Sequence, residues 1–582
     1  MIKLLKNLDK KELLYAFICL ILVVIQVWLD LKLPDYMSEI TRIITTEGSI
    51  NDILIQGMYM LLCAFGSLVS AFLVGYFASY IGTNFARKIR GKVFNQVEKF
   101  GMGEMKSFST ASLITRTTND VTQVQMFIAM GLQAMIKAPI LATWAVLKIV
   151  NKNFTWSLVT AGAIVILLIM ILTIVILALP KFKVIQKLTD NLNKITRENL
   201  TGIRVVRAFN AEKYEEKLFK KANDELTNTS LFTSRVMAII FPVMSFIMPM
   251  LTLFIYFIGA YLINDAGMLD KIDLFSSMVV FSSYSMQIIM AFMLLTMIFI
   301  IYPRASVSAK RILEVIETKP SVDDSGFSEI KTKEVGTIEF KNVSFKYPDA
   351  LEYMLSNISF EVKKGETVAF IGSTGSGKST LLNLIPRFYD ATEGSVLVDG
   401  VDVRNYKLED LNNKLGYISQ KAVLFKGTID SNVKFGKSLN KIDRKKIDEA
   451  LEVAQAKNFV SQMDNKSVSQ SGTNLSGGQK QRVSIARAIA RDPEIYLFDD
   501  SFSALDYKTD HILRKELKKY TKNATTIIVA QRIGTILNAD KIIVLDDGKI
   551  VGNGTHKELL NNCSVYKEIA YSQLSKEELE NA

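Results

Sequence analysis

A chain of 582 residues, 49 % of them hydrophobic and with a net charge of +12, is too long for one domain and too apolar for an ordinary soluble protein. The basic excess is spread along the chain and is not bundled with aromatic residues. This argues against a nucleic-acid partner and for loops that face anionic lipid. The three cysteines are Cys19 and Cys63 in apolar runs and Cys563 near the C-terminus, which argues against a disulfide framework.

The first segment, "MIKLLKNLDKKELLYAFICL", is basic and amphipathic and has no small-residue cleavage site. It reads as the lead-in to a retained span. Six apolar runs of about 20 residues or more follow, near 14–33, 53–80, 127–150, 154–179, 237–263 and 273–302. An even number of spans puts both ends on one side, and lysine and arginine choose it. The segment after span two carries Arg87, Lys88, Arg90, Lys92, Lys99, Lys106 and Arg116. The one after span four runs from Lys181 through Arg204 and Arg207 to Lys221. The opposite loops hold only Lys148, Lys152 and Lys271, with Lys32 and Arg42 in the first. The N-terminus, the two long loops and the C-terminal half are therefore expected in the cytoplasm, on a multi-pass protein of the cell (plasma) membrane.

The long loops, "NFARKIRGKVFNQVEKF" and "KITRENLTGIRVVRAFNAEKYEEKLFKKANDEL", keep helical periodicity. They predict helices that leave the bilayer, turn and return. After Tyr302 no further span appears. Residues 304–335 read as a linker that starts helical and breaks at "TKPSVDDSG". From "GTIEFKNVSFKY" onward strands alternate with helices, an α/β pattern. The expected architecture is a membrane domain of six long helices over 1–303, the linker, and an α/β P-loop domain over 336–582.

"IGSTGSGKST" gives that second domain its chemistry. Gly372, Ser373, Thr374, Gly375, Ser376, Gly377, Lys378, Ser379 and Thr380 lie between an apolar strand and a helix, as a phosphate-binding loop requires. Its glycines let backbone N–H groups close around phosphate. Lys378 is placed for the terminal phosphates and Ser379 for Mg²⁺. "LSGGQKQRVSIARA" adds Leu475, Ser476, Gly477, Gly478 and Gln479 at another helix start suited to an anion.

With these two motifs the chain resembles the ATP-binding-cassette (ABC) transporter family over nearly its whole length, in the half-size exporter layout. The resemblance implies that ATP and Mg²⁺ bind, and that the P-loop of one cassette and the signature of a facing one sandwich each ATP. It implies roles by position. Tyr347 in "FKYPDA" stacks on adenine, and Gln420 in "GYISQKAVLF" contacts Mg²⁺ and the attacking water. Asp499 holds Mg²⁺, and Asp506 in "SALD" couples the two sites. Two positions depart from the family. Asp500 stands where hydrolysing members carry glutamate, and Gln531 where they carry the switch histidine. Aspartate is shorter by about 1.5 Å, and a misplacement near 1 Å costs on the order of 10²-fold in rate. Glutamine cannot present a charged donor.

Two departures beside intact binding elements imply a slow, degenerate site whose signature serves a partner's competent one. The expected partner is a second half-transporter, in a heterodimer resembling bacterial multidrug exporters. The alternatives are a slow homodimer and a membrane-embedded nucleotide sensor. Phe108–Val121 and Ile203–Phe219 resemble the short coupling helices of the family. Spans five and six, with Met244, Phe246, Met248, Phe281 and Met290, suit a small amphipathic cargo and equally suit helix packing. Lys137, ahead of Pro139, reads as a snorkelling side chain.

Overall fold

The computed structural model describes residues 1–150, 154–326, 332, 334–436, 442–575 and 579. Lys152 and linker residues 327–331 and 333 lie outside them. The chain forms two compact units, Met1–Gln96 with Ala111–Thr318, and Val97–Thr110 with Lys319–Ala582.

The first unit is helical. Among the described residues, six helices are long and apolar enough to cross a membrane: Lys10–Thr45, Ile50–Val97, Thr110–Val150, Phe154–Thr201, Glu212–Asp265 and Asp270–Glu317. A helix of 48 residues, such as the second, is about 72 Å long at 1.5 Å per residue. The hydrocarbon core takes up only about 30 Å of that, so each long span runs on well past the bilayer. The polar loops of the sequence are these extensions. On the second span Leu61, Phe65, Leu68 and Phe72 recur at helical spacing and are each 65–72 % exposed. They form an apolar stripe of the kind that faces lipid. The sixth span runs unbroken to Glu317, so the helical start of the linker is its tail.

Polar clusters tie the extensions together. Glu12, 1 % exposed, accepts from Asn84 (2.6 Å) and Lys88 (2.7 Å). Arg116 reaches Glu314 at 2.8 Å and Ser308 donates to Asp120 at 2.9 Å. Arg116–Asp120 forms a π-helical turn within the third span, a local widening that such a helix tolerates. This corrects one expectation. The stretch Phe108–Val121, which resembles a short coupling helix at the tip of the first cytoplasmic loop, is helix of the third span from Thr110 on, held against the sixth span. The chain reverses earlier, and the short helix Met102–Phe108 belongs to the second unit. There Phe100 stacks on Phe108 at 5.6 Å. Glu104 caps Gly101 N–H at 2.9 Å and accepts from Ser321 at 3.1 Å.

The second unit holds two large sheets. The uniform α/β reading misses the first, an antiparallel sheet in the order β2-β1-β4-β5: β1 (Ile338–Phe345), β2 (Leu355–Val362), β4 (Glu393–Val398) and β5 (Val401–Asp402). The second sheet has the order β12-β11-β3-β10-β9-β6. Its strands are β3 (Thr367–Gly372), β6 (Leu415–Ile418), β9 (Ile495–Asp499), β10 (Thr525–Val529), β11 (Lys541–Asp546) and β12 (Lys549–Gly554). All its neighbours are parallel except the β11–β12 edge. A two-strand ribbon, β7 (Gly427–Thr428) with β8 (Ser467–Val468), stands apart. All five residues of β9 are buried, as a strand covered on both faces demands. The apolar run "IYLFD" is thus a central strand, and its last residue emerges at the carboxyl ends of the parallel strands, where open α/β sheets bind ligands.

Candidate nucleotide site

The phosphate-binding loop follows β3. At Gly372 a Cβ would meet the Leu545 carbonyl oxygen at 2.0 Å, and at Gly377, with φ +96°, it would meet Leu355 at 2.6 Å. Neither position accepts a side chain, so the backbone can wind tightly enough to expose its N–H groups. Gly375 also has positive φ (+90°). Ser373 and Thr374 are exposed, and Ser376 and Thr380 are buried. Lys378, 8 % exposed, donates to the carbonyls of Gly372 (2.9 Å) and Ser373 (2.6 Å). Burial holds its ammonium below the ordinary lysine range. With the Ser376 hydroxyl as a third acceptor at 3.3 Å, this buried cation has only neutral partners and is suited to an anion.

The helix Lys378–Leu384 starts from this loop. Ser379 Oγ donates to Asp499 Oδ1 at 2.7 Å. This joins the loop to the end of β9 across β10 and places a hydroxyl and a carboxylate side by side, a donor set that fits Mg²⁺. Asp500 sits one residue on, at φ +45°, with its N–H on the Val529 carbonyl at 3.0 Å. Gln420 Nε2 donates to Asp500 Oδ2 at 3.2 Å. Three expected site residues, Gln420, Asp499 and Asp500, therefore meet at the P-loop. Burial pushes both carboxyl groups above the usual range. For Asp500 the bonds from Gln420 and Ser503 and the charges of Arg532 and Lys378 pull the other way. The sequence reading passed over Arg532 and Ser503. A basic residue directly after the switch position was the available signal for the first.

Gln531 leaves β10 two residues after Val529, the strand partner of Asp499. Its side chain is exposed and its carbonyl accepts from Gln573 at 2.8 Å. No hydrogen bond among the described residues joins it to Asp500.

Tyr347 is half-buried. Its hydroxyl pairs with Thr380 at 2.9 Å, and its ring meets Phe345 and Tyr389 edge-on at 4.9 and 5.3 Å. Lys106 Nζ lies 5.9 Å above it. Tyr389 and Lys106 are far off in sequence and were not foreseen.

The signature opens its own helix, Gly477–Arg491, which is tied to the Gln420 strand end by Gln481 Nε2 donating to the Ser419 carbonyl at 3.1 Å. Leu475 is buried beneath it. Ser476 caps the helix, accepting from Gln479 N–H at 3.3 Å, while Gln479 Oε1 accepts from Ser476 N–H at 2.9 Å, a reciprocal box. Ser476 and Gly477 are exposed. A Cβ on Gly477 would meet nothing within 4 Å, and one on Gly478 would meet the Ala504 carbonyl at 3.1 Å. Asp506 caps the helix Tyr507–Tyr520 through Thr509 N–H at 3.0 Å, and that bond holds its carboxyl below the usual range.

The raised Asp500 carboxyl has a testable sign. Its neutral form is favoured in the fold, so above the raised pKa the ionised group opposes stability, and this opposition vanishes as pH falls below the unfolded value of about 3.9. Asp500→Asn is therefore expected to raise the melting temperature of the nucleotide-free protein at pH 7.5, with a gain that shrinks toward pH 4. Thermal unfolding across that range checks it; a lower melting temperature at pH 7.5 would mean that the Gln420 bond outweighs desolvation.

Comparison with known proteins adds two family matches. The model of the ABC transporter family covers residues 355–503, and that of the ABC transporter transmembrane region covers residues 16–308. An uncharacterized ABC transporter ATP-binding protein of Mycobacterium tuberculosis (strain CDC 1551 / Oshkosh) is 38 % identical over 557 residues, 94 % of this chain and 93 % of that protein. The protein YfiB of Bacillus subtilis (strain 168), described in the same terms, is 34 % identical over 97 % of each chain. An ATP-dependent lipid A-core flippase of Pseudomonas aeruginosa is 30 % identical over 84 % of this chain and 80 % of that protein. In fold, the chain is similar to a bacterial Atm1-family ABC exporter solved with ATP bound, with a TM-score of 0.80, 23 % identity and coverage of 96 % and 97 %.

Proposed function

Because the chain belongs to the ABC transporter family, as an exporter-type half-transporter with membrane and ATP-binding domains, we propose that it is the slow-site subunit of a heterodimeric, ATP-driven exporter. ATP binds to the cassette, and its hydrolysis is coupled to transport; the division of labour between two cassettes is the proposal. The domain division 1–303, 304–335 and 336–582 is its frame, with the helical start of 304–335 carried by the sixth span to Glu317, and the plasma membrane is its place.

One observation carries the reading. Beside the phosphate-binding loop, the residue at the base position, Asp500, is a short carboxylate held by Gln420 at 3.2 Å, and this supports a site that binds better than it hydrolyses. Its oxygens stay near the end of β9, and a glutamate would extend about 1.5 Å further, which is where position decides the rate. Gln531, exposed two residues after the end of β10, would add a neutral donor in place of a charged one. Lys378, Ser379 and the loop amides would bind and orient phosphate, Tyr347 would receive the adenine face, and Asp499, Gln420 and Ser379 would hold Mg²⁺. Mg²⁺ would supply charge neutralisation between the phosphates. The exposed Ser476 and Gly477 are free to approach a nucleotide on a facing cassette, and Asp506 links the two sites.

Cargo of amphipathic, multidrug type is supported by the exposed Phe246, Met286 and Met290 in spans five and six, and by the flippase among the relatives, whose named cargo is an amphiphile. The isolated chain is expected to bind ATP and to turn it over at least about 10²-fold more slowly than the assembled pair. Equilibrium nucleotide binding and phosphate release, measured with and without the partner, check this. Fast turnover by the chain alone would favour a homodimer.

A further inference from the structure

Between spans one, two, three and six the first unit holds a group of charges that the sequence had scattered. Lys137 is not a lone snorkelling side chain. Its Nζ lies 3.1 Å from Asp30 Oδ2, and Lys148 Nζ lies 2.8 Å from Asp35 Oδ2. The other oxygen of each aspartate accepts a hydroxyl at 2.5 Å, Ser67 on Asp30 and Tyr284 on Asp35. Gln287 Nε2 donates to the Asp30 carbonyl at 3.1 Å. Gln287 lies at the middle of the apolar run 273–302, about 21 Å from its outer end at 1.5 Å per residue. Asp30, Lys137 and Gln287 thus lie within the apolar runs of spans one, three and six, where ionised groups are costly and mark function, while Asp35 and Lys148 lie at the outer ends of spans one and three.

Three features argue against a merely structural brace. An ion pair is a poor way to hold helices that apolar residues would hold as well. The four charged side chains are 19–34 % exposed, so each pair keeps polar atoms open to a ligand. Finally, the Oε1 atoms of Gln26 and Gln287 are buried without a hydrogen-bond partner. Gln26 is 5 % exposed and one helical turn from Asp30, so the same face of span one carries an unanswered acceptor.

We propose that this cluster binds the head of a zwitterionic amphiphile. Asp30 with Lys137, and Asp35 with Lys148, each cancel as a pair, so a head that is itself neutral overall can exchange partners with a pair without adding charge. Each ammonium has three donors and gives one to its aspartate, which leaves N–H groups for an acidic group. The two glutamine oxygens and the remaining aspartate lone pairs receive an ammonium. Met290, 43 % exposed and one turn from Gln287, lies where the apolar body would start. The head exchanges ion pairs with the protein and no bond is made or broken.

The proposal rests on the exporter reading, and its test separates the two. The full chain, with the subunit it assembles with, is placed in nanodiscs, and direct binding is measured for fluorescent probes with one dodecyl tail and different heads: phosphoethanolamine, carboxybetaine, sulfate and trimethylammonium. The parent is expected to bind a zwitterionic probe most tightly. Lys137→Gln should weaken it about tenfold while sparing the trimethylammonium probe, and Asp30→Asn should weaken it about tenfold while sparing the sulfate probe. The swapped pair, Asp30→Lys with Lys137→Asp, keeps the internal ion pair and should keep zwitterion binding, which covers the case of a single variant that does not fold. Binding of phosphoethanolamine alone points to a lipid head, and binding of both zwitterions to such amphiphiles at large; each upholds the site. A parent that prefers a singly charged probe or binds none, or variants that leave the order of affinities unchanged, would overturn it. ATP-driven uptake into inside-out vesicles is scored separately: binding without pumping sinks the exporter reading and leaves the site, and pumping with unaltered selectivity in the variants sinks the site alone.

Discussion

Gly477→Arg in the assembled two-chain transporter is expected to lower ATP turnover and transport by about 10²- to 10³-fold, the loss seen when a preorganised contact to developing charge is removed. The variant is clean because a side chain at Gly477 meets nothing within 4 Å in its own chain. The cassette should therefore fold and bind its own ATP, while the arginine blocks the approach of the helix start to a nucleotide on the facing cassette. Ser476→Arg should act alike, but it also removes the cap that Ser476 supplies to Gln479 N–H, worth about 1 kcal/mol, so its effect mixes two causes. Asp500→Asn in the same complex is expected to matter far less, because that site is already slow. Lys378→Ala should fall between, since ATP held at the slow site still helps to keep the cassettes together. ATP turnover and dye efflux of the variants, each co-purified with the partner, decide. If Asp500→Asn is as damaging as Gly477→Arg, Asp500 is a working base and the asymmetric reading falls.

The double replacement Asp500→Glu with Gln531→His is expected to raise hydrolysis at this site by up to about 10²-fold, more than the two single changes combined. Both groups would act on one water and one terminal phosphate, the glutamate by reaching it and the histidine by adding charge, so their effects should not add. The structure gives each change a condition. The longer carboxylate must leave the Gln420 bond or carry it along, and the histidine must turn inward from an exposed position. Single-turnover hydrolysis with the partner's own base removed reads this site alone. Strictly additive effects would show that the two residues do not share a water.

Local motifs were legible because their chemistry is local. The P-loop needs glycines and a lysine within ten positions, and the clashes at Gly372 and Gly377 show why no other residue serves there. The spans declared themselves by length and apolarity, and their sidedness by lysine and arginine. The periodicity of the polar loops carried the helices past the bilayer, as the 48-residue second and fourth spans bear out. The six-helix membrane domain followed by an α/β nucleotide-binding domain was readable for the same reason: periods of 3.6 and 2 are written along the chain.

What the chain alone left open is whatever depends on a neighbour. Gln420 and Asp500 are 80 residues apart, and only the parallel pairing of β6 and β9 sets their strand ends side by side. The antiparallel sheet of β1, β2, β4 and β5 looked like part of an α/β run, because alternation does not name the partner strand. The first cytoplasmic reversal was placed too late, because a Ser/Thr-rich stretch forms a helix when Arg116 and Asp120 find partners on the sixth span. Lys137 shows the limit most clearly. A lysine in an apolar run snorkels if its neighbours are lipid, and it is an ion pair if a carboxylate 107 positions away faces it. Sequence determined that the charge is in the membrane; helix packing alone decided that it has Asp30 beside it, because the free energy of a buried charge is set by what surrounds it and not by its place in the chain.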